Sequence, residues 1–94
     1  MRQVRFLASA ERDAREAARF YDVAAPGHGE AFRASLQRAL DAICLHPEIG
    51  RMIDPGVRAI VLDRFPFKVI YRDDHSALVV VAVAHHRRRP GYWR

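Results

Sequence analysis

The sequence predicts an α+β domain in which a helical hairpin packs on a mainly antiparallel four-stranded sheet, in the order β-α-α-β-β-β. Three observations predict it. Apolar residues recur at helical spacing between Ala10 and Leu45, with one interruption at Pro26-Gly27-His28-Gly29. Three stretches rich in β-branched and aromatic residues then crowd the second half of the chain. The last of them, ALVVVAVA at 77–84, has no polar alternation, as expected for a central strand covered on both faces.

Each element has a local reason. Residues 3–8 alternate Val4, Phe6 and Ala8 against Gln3, Arg5 and Leu7, the pattern of a short half-buried strand that joins a sheet built later. Ser9 is the expected N-cap of the first helix, with Glu11 and Asp13 in its first turn. Ala10, Ala14, Ala17, Tyr21 and Ala24 line one face, small enough for a neighbour to approach closely. A second helix is expected from Glu30 to about Leu45, with Phe32, Leu36, Ala39, Leu40 and Ile43 as its apolar stripe. His46-Pro47 stops it, because proline pushes the preceding residue out of the helical region. Residues 48–56 read as a loop. Strands follow at 57–63, 67–72 and 77–84, with Pro66 at a strand start and Asp73-Asp74-His75-Ser76 as a turn.

The chain of 94 residues is read as one domain, 1–94, large enough for one modest core. No apolar run approaches the ~18–20 residues of a membrane span. The opening MRQVRFLASA resembles a secretion signal only briefly, since charged residues return at Glu11; cytoplasm is the expected location. Cys44, the single cysteine, excludes an internal disulfide and sits in LDAICLHP as a small buried hydrophobe.

Charge is concentrated. Residues 85–94 contain Arg87, Arg88, Arg89 and Arg94 and no acid, so this end supplies +4 of the formal +5. RNA, DNA or an acidic protein surface would meet the chain there. Strand parity puts Lys68, Ile70 and Arg72 on one face and Phe67, Val69 and Tyr71 on the core face. Arg58, Lys68, Arg72 and the basic terminus could form one positive strip; scattered solubilising charge is the competing account. Neither a metal nor a cofactor is expected. His85 and His86 are strand neighbours that point apart, His28 and His46 lie at helix ends, and Asp73-Asp74 is turn chemistry. If the strip met RNA, His85 or His86 could move a proton, Lys68 or Arg87 could hold the phosphate, and Tyr92 or Trp93 could stack a base.

The element order, the helix-ending HPEIGR, the segment VRAIVLDRFPFKVIYR and the terminal VAVAHHRRRPGYW together resemble the RelE/ParE superfamily of bacterial toxins. The resemblance runs over almost the whole chain. It implies the toxin of a type II toxin-antitoxin module, of the kind that stabilises plasmids, held inactive by a cognate antitoxin. RelE-like members cut mRNA in the ribosomal A site, whereas ParE-like members block DNA gyrase. Carried over by position, the nuclease residues fall at Lys68, Arg87 and Tyr92 or Trp93; with His86 for proton transfer, Lys68, Arg87 and Tyr92 would be the catalytic set of an endoribonuclease. Arg58, Lys68, Arg72, His85, Arg87, Arg88, Arg89 and Trp93 would contact the target. Where RelE-like nucleases place two lysines, VRAIVLD has Arg58 and no lysine, and FPFKVIY looks more ParE-like. Gyrase inhibition is therefore the leading expectation, a ribosome-dependent endonuclease the alternative, and an inactive antitoxin-binding relative the third.

Overall fold

The alternating N-terminal residues build an edge strand, and its pairing decides where the first helix can begin. In the computed structural model, which describes residues 3–94, β1 (Gln3–Phe6) runs parallel to the last strand, β5 (Ala77–His85), with Phe6 opposite Val80. Met1 and Arg2, the start of the signal-like opening, lie outside the described residues. The Leu7 N–H donates to the Val80 carbonyl at 3.0 Å, which holds Leu7 extended at φ −67, ψ 153. Helix α1 (Ala8–Ala24) therefore starts directly after it, with Leu7 in the cap position. Ser9, the expected cap, falls inside the first turn, and no side chain caps this end.

The helical hairpin closes more tightly than expected. Gly27 takes φ 86, a left-handed conformation that glycine adopts without cost from a Cβ, and α2 (His28–Leu45) follows at once. The Gly29 N–H is capped by Asp22 Oδ1, 2.9 Å away on α1. The second helix thus begins two residues before Glu30. It ends as the proline rule requires, with His46 outside helical geometry.

The sheet has five strands in the order β1-β5-β4-β3-β2, where β2 is Arg51–Asp54, β3 Val57–Val61 and β4 Phe67–Asp73. All pairs except β1–β5 are antiparallel. The extra strand, β2, lies in the expected loop at 48–56. Its four residues RMID carry no alternation, and the tertiary structure supplies its anchors. The buried Tyr71 hydroxyl donates to the Pro47 carbonyl at 2.7 Å and accepts the Gly50 N–H at 3.0 Å. The Arg58 guanidinium donates to the carbonyls of Gly50 (2.8 Å) and Glu48 (3.2 Å). At the other hairpin, Asp73 Oδ1 accepts the His75 N–H at 3.0 Å, the turn role expected of that aspartate.

Both helices cover one face of the sheet. Phe32 and Ile43 are fully buried there with Val69, Tyr71, Leu78 and Val80. Tyr21, Phe32, Phe65 and Phe67 form an aromatic cluster, with Phe32 and Phe67 centroids 5.1 Å apart in a T-shape. Cys44 is half-buried against this core. The opposite face, here the outer face, has an apolar cluster of its own: Ile70, Val81, Ala82 and Ala84, with Ile53, Val57 and Ala59 packed beside them. A bulge makes this possible. Ile70 pairs with Ala82 but Tyr71 pairs with Val80, so Val81 is an extra residue, and both Val81 and Ala82 pack in the outer cluster.

Candidate functional site

The basic C-terminal stretch does not run out into solvent. Beyond β5, turns form with Arg88 N–H on the His85 carbonyl (3.0 Å), Tyr92 N–H on Arg89 (3.2 Å) and Arg94 N–H on Gly91 (3.1 Å). Gly91 at φ 78 makes the reversal. The chain doubles back, and Tyr92 and Trp93 pack on the outer apolar cluster. The Arg88 guanidinium carbon lies 4.0 Å from the Tyr92 ring centroid, and Arg94 lies 5.3 Å from that of Trp93.

This return creates a cleft of about 270 Å³ between the outer sheet face and the terminal turns. Its floor is Ile53, Ile70 and Ala84; its cations are Arg51, Lys68, Arg88, Arg89 and Arg94. Register explains who is present. Lys68 pairs with Val61 and Ala84, and Arg51 with Ala59, all on the outer face. Arg72 shares that face but lies about 13 Å further along β4, four residues at a strand's rise, and is not part of the cleft.

Arg58 is a correction. It pairs with Tyr71, so it faces the helix side and is held by the Glu48 and Gly50 carbonyls. The expected strip through Arg58, Lys68 and Arg72 is therefore broken at Arg58. In its place stand Arg51 and Arg94, from either end of the structure's second half.

The histidines and Arg87 lie elsewhere. His85 pairs with Phe67, which turns it to the helix side; the rings meet at 5.1 Å, and Nδ1 accepts the Arg87 N–H at 3.0 Å. Lys68 is on the other side of the sheet. His86 donates its backbone N–H to Pro66 at 2.9 Å and its side chain is exposed, as is that of Arg87; neither lines the cleft. Lys68 and Tyr92 do share the cleft wall, but the Tyr92 hydroxyl is aimed at Asp13 Oδ2, 3.5 Å away. Burial first, and then the Asp13 charge, raises the Tyr92 pKa above its ordinary value. Arg88 and Tyr92 thus form a partition between the outer cleft and a smaller one of about 210 Å³ on the helix side, where Asp13, Glu16 and His85 lie.

Asp13 ties these parts together. The β1 ladder ends at Val80, which leaves the next N–H groups on that side of β5 without a strand partner. Asp13 Oδ2 accepts the Val83 N–H at 3.2 Å and meets the Tyr92 hydroxyl. In the sequence Asp13 looked only like first-turn acid, and no local pattern distinguishes a clamp reaching 70 residues ahead.

Two helices on one face of this sheet agree with the comparison to protein families: residues 4–90 match the family described as the ParE toxin of the type II toxin-antitoxin system, parDE. The chain belongs to the ParE toxin family. A solved structure described as the chromosomal ParDE TA system from P. aeruginosa superposes with a TM-score of 0.67 at 20% identity, covering 90% of this chain and 96% of that one. At that identity the likeness speaks for the ParE fold. No curated protein matches the chain.

Proposed function

We propose that this ParE-family chain is a growth-inhibiting toxin that acts in the cytoplasm by binding DNA gyrase, and that a cognate antitoxin neutralises it. The observation that carries the choice against RNA cleavage is the separation of the proton-transfer candidates from the phosphate-binding ones. His85 lies on the helix side, His86 and Arg87 sit in an exposed turn, and the Tyr92 hydroxyl is directed at Asp13, while Lys68 faces the outer cleft. Cleavage through a 2′-hydroxyl needs a base, an acid and a cation around one phosphate. A binding module needs none of that convergence.

An antitoxin has a surface to meet. Phe6, Ala14, Leu36 and Leu40 line a groove between the helices and β1, rimmed by Glu11, Arg15 and Arg33. An amphipathic segment that folds on binding suits such a groove. Purified toxin should inhibit gyrase supercoiling, and equimolar antitoxin should relieve the inhibition. Normal supercoiling at excess toxin, together with mRNA cut only in the presence of ribosomes, would overturn the proposal. The endoribonuclease reading draws on Lys68 and Tyr92 sharing a cationic cleft; it requires that Arg87→Ala and His86→Gln abolish codon-positioned cleavage in a folded protein.

A further inference from the structure

We propose that the cleft on the outer sheet face binds the phosphodiester backbone of a nucleic acid, through Arg51, Lys68 and Arg89. This goes beyond the gyrase reading and is independent of it, since the toxin alone would bind. Among the described residues, five cations and no acid line the cleft. Asp54, on Arg94 at 3.2 Å, is the one carboxylate paired with any of them among the described residues. Arg51, Lys68 and Arg89 have no acid partner among the described residues; Arg12, Arg19 and Arg64 share that lack elsewhere on the surface, so what sets the cleft apart is that five cations converge on it without an acid. Gathering like charges around a concave surface costs free energy unless an anion relieves it.

The chemistry of the walls selects the anion. Guanidinium groups present flat, forked donors that match phosphate oxygens two at a time. Between them lie Ile53, Ile70 and Trp93, an apolar lining against which a sugar or a base can rest. The volume of 270 Å³, that of about nine waters, admits a phosphate with its sugar. The terminal turns are part of the site itself: they bring Arg88, Arg89 and Arg94 over a floor made by β2, β4 and β5.

The test is fluorescence anisotropy with labelled oligonucleotides of about 20 nucleotides, as single-stranded DNA, duplex DNA and RNA, across a salt series. Arms with DNA and RNA identify which backbone the cleft takes. Binding is expected to weaken with salt, by a log-log slope of about −0.7 per phosphate contact on a single strand and −0.9 on a duplex. Arg51→Ala/Arg89→Ala, two exposed side chains whose loss leaves the core intact, should weaken binding about tenfold and flatten that slope by about two contacts. Arg12→Ala/Arg19→Ala, on α1, removes the same charge and should change neither. The proposal is overturned if the α1 pair weakens binding as much, if polyglutamate competes as well as an oligonucleotide, or if no oligonucleotide binds at low salt. Gyrase inhibition measured on the same variants separates this site from the target-binding proposal.

Discussion

Replacing Tyr71 with phenylalanine removes one oxygen and should loosen the edge strand that carries Arg51. The hydroxyl bridges the Pro47 carbonyl and the Gly50 N–H, at 2.7 and 3.0 Å. Gly50 is buried, and a Cβ there would come within 2.6 Å of that oxygen, so the ring and backbone fit without slack. In the variant the Gly50 carbonyl keeps Arg58, but the N–H loses its acceptor. Pro47 is only partly buried and its carbonyl can turn to water, whereas the Gly50 N–H has no such replacement. An orphaned buried donor costs about 1–3 kcal/mol. Taking about 2 kcal/mol, and about 4–8 °C per kcal/mol in a domain of this size, thermal unfolding should move down by about 8–16 °C. Circular dichroism melts measure it, and amide exchange should show faster exchange across β2 and its partner β3 than in β5. A midpoint within about 2 °C of the native protein would refute the anchoring role assigned to Tyr71.

Other perturbations have equally direct outcomes. Asp13→Ala removes the acceptor of the Val83 N–H and the partner of Tyr92, so it should cost about 1–3 kcal/mol. It should also shift the emission of Trp93, the single tryptophan, to the red; unchanged emission would mean that the terminal turns hold without the clamp. Phe32→Ala empties the centre of the aromatic cluster and should cost about 3–5 kcal/mol, read from urea midpoints. The Arg38 guanidinium, and next the Ser35 hydroxyl, hold the Asp63 pKa below its ordinary 3.8. The stability this contributes is present above pH 3.8 and lost as pH falls through the lower folded value, and Asp63→Asn should flatten that acid limb of a melting-temperature profile. Burial raises the pKa of Tyr71 and Tyr92, so their contribution holds below the ordinary 10.0 and is lost as pH rises through the higher folded values. Phenolate absorbance should accordingly appear later in pH than in unfolded chain.

Much of the fold is written locally. The second helical stripe, the first as far as Tyr21, the stop at His46-Pro47, the turn that follows Asp73 and the buried run at 77–84 each follow from residue type and period and are where the structure has them; Ala24, expected on the first stripe, is exposed at the end of α1. The strand β2 escaped because RMID has no period of its own; it exists through contacts made by Tyr71 and Arg58, residues far along the chain. The Ser9 cap failed because a ladder bond to Val80 holds Leu7 extended, a constraint that reaches across more than 70 residues.

The site divides along the same line. By itself the sequence determined how many cations the C-terminal end carries, that Phe67, Val69 and Tyr71 face the core, and that adjacent strand residues such as Lys68 and Phe67 point apart, because a strand's period of two is a local property. Only the tertiary structure decided which cations meet. Parity within one strand says nothing of the next until register is set, and register put Arg58 opposite Tyr71 and Arg51 opposite Ala59. The stretch that began as an abrupt basic tail became a wall of the cleft for the same reason. Tyr92 and Trp93 had an apolar surface to return to only after the bulge at Val81 and the arrival of β2 had built one.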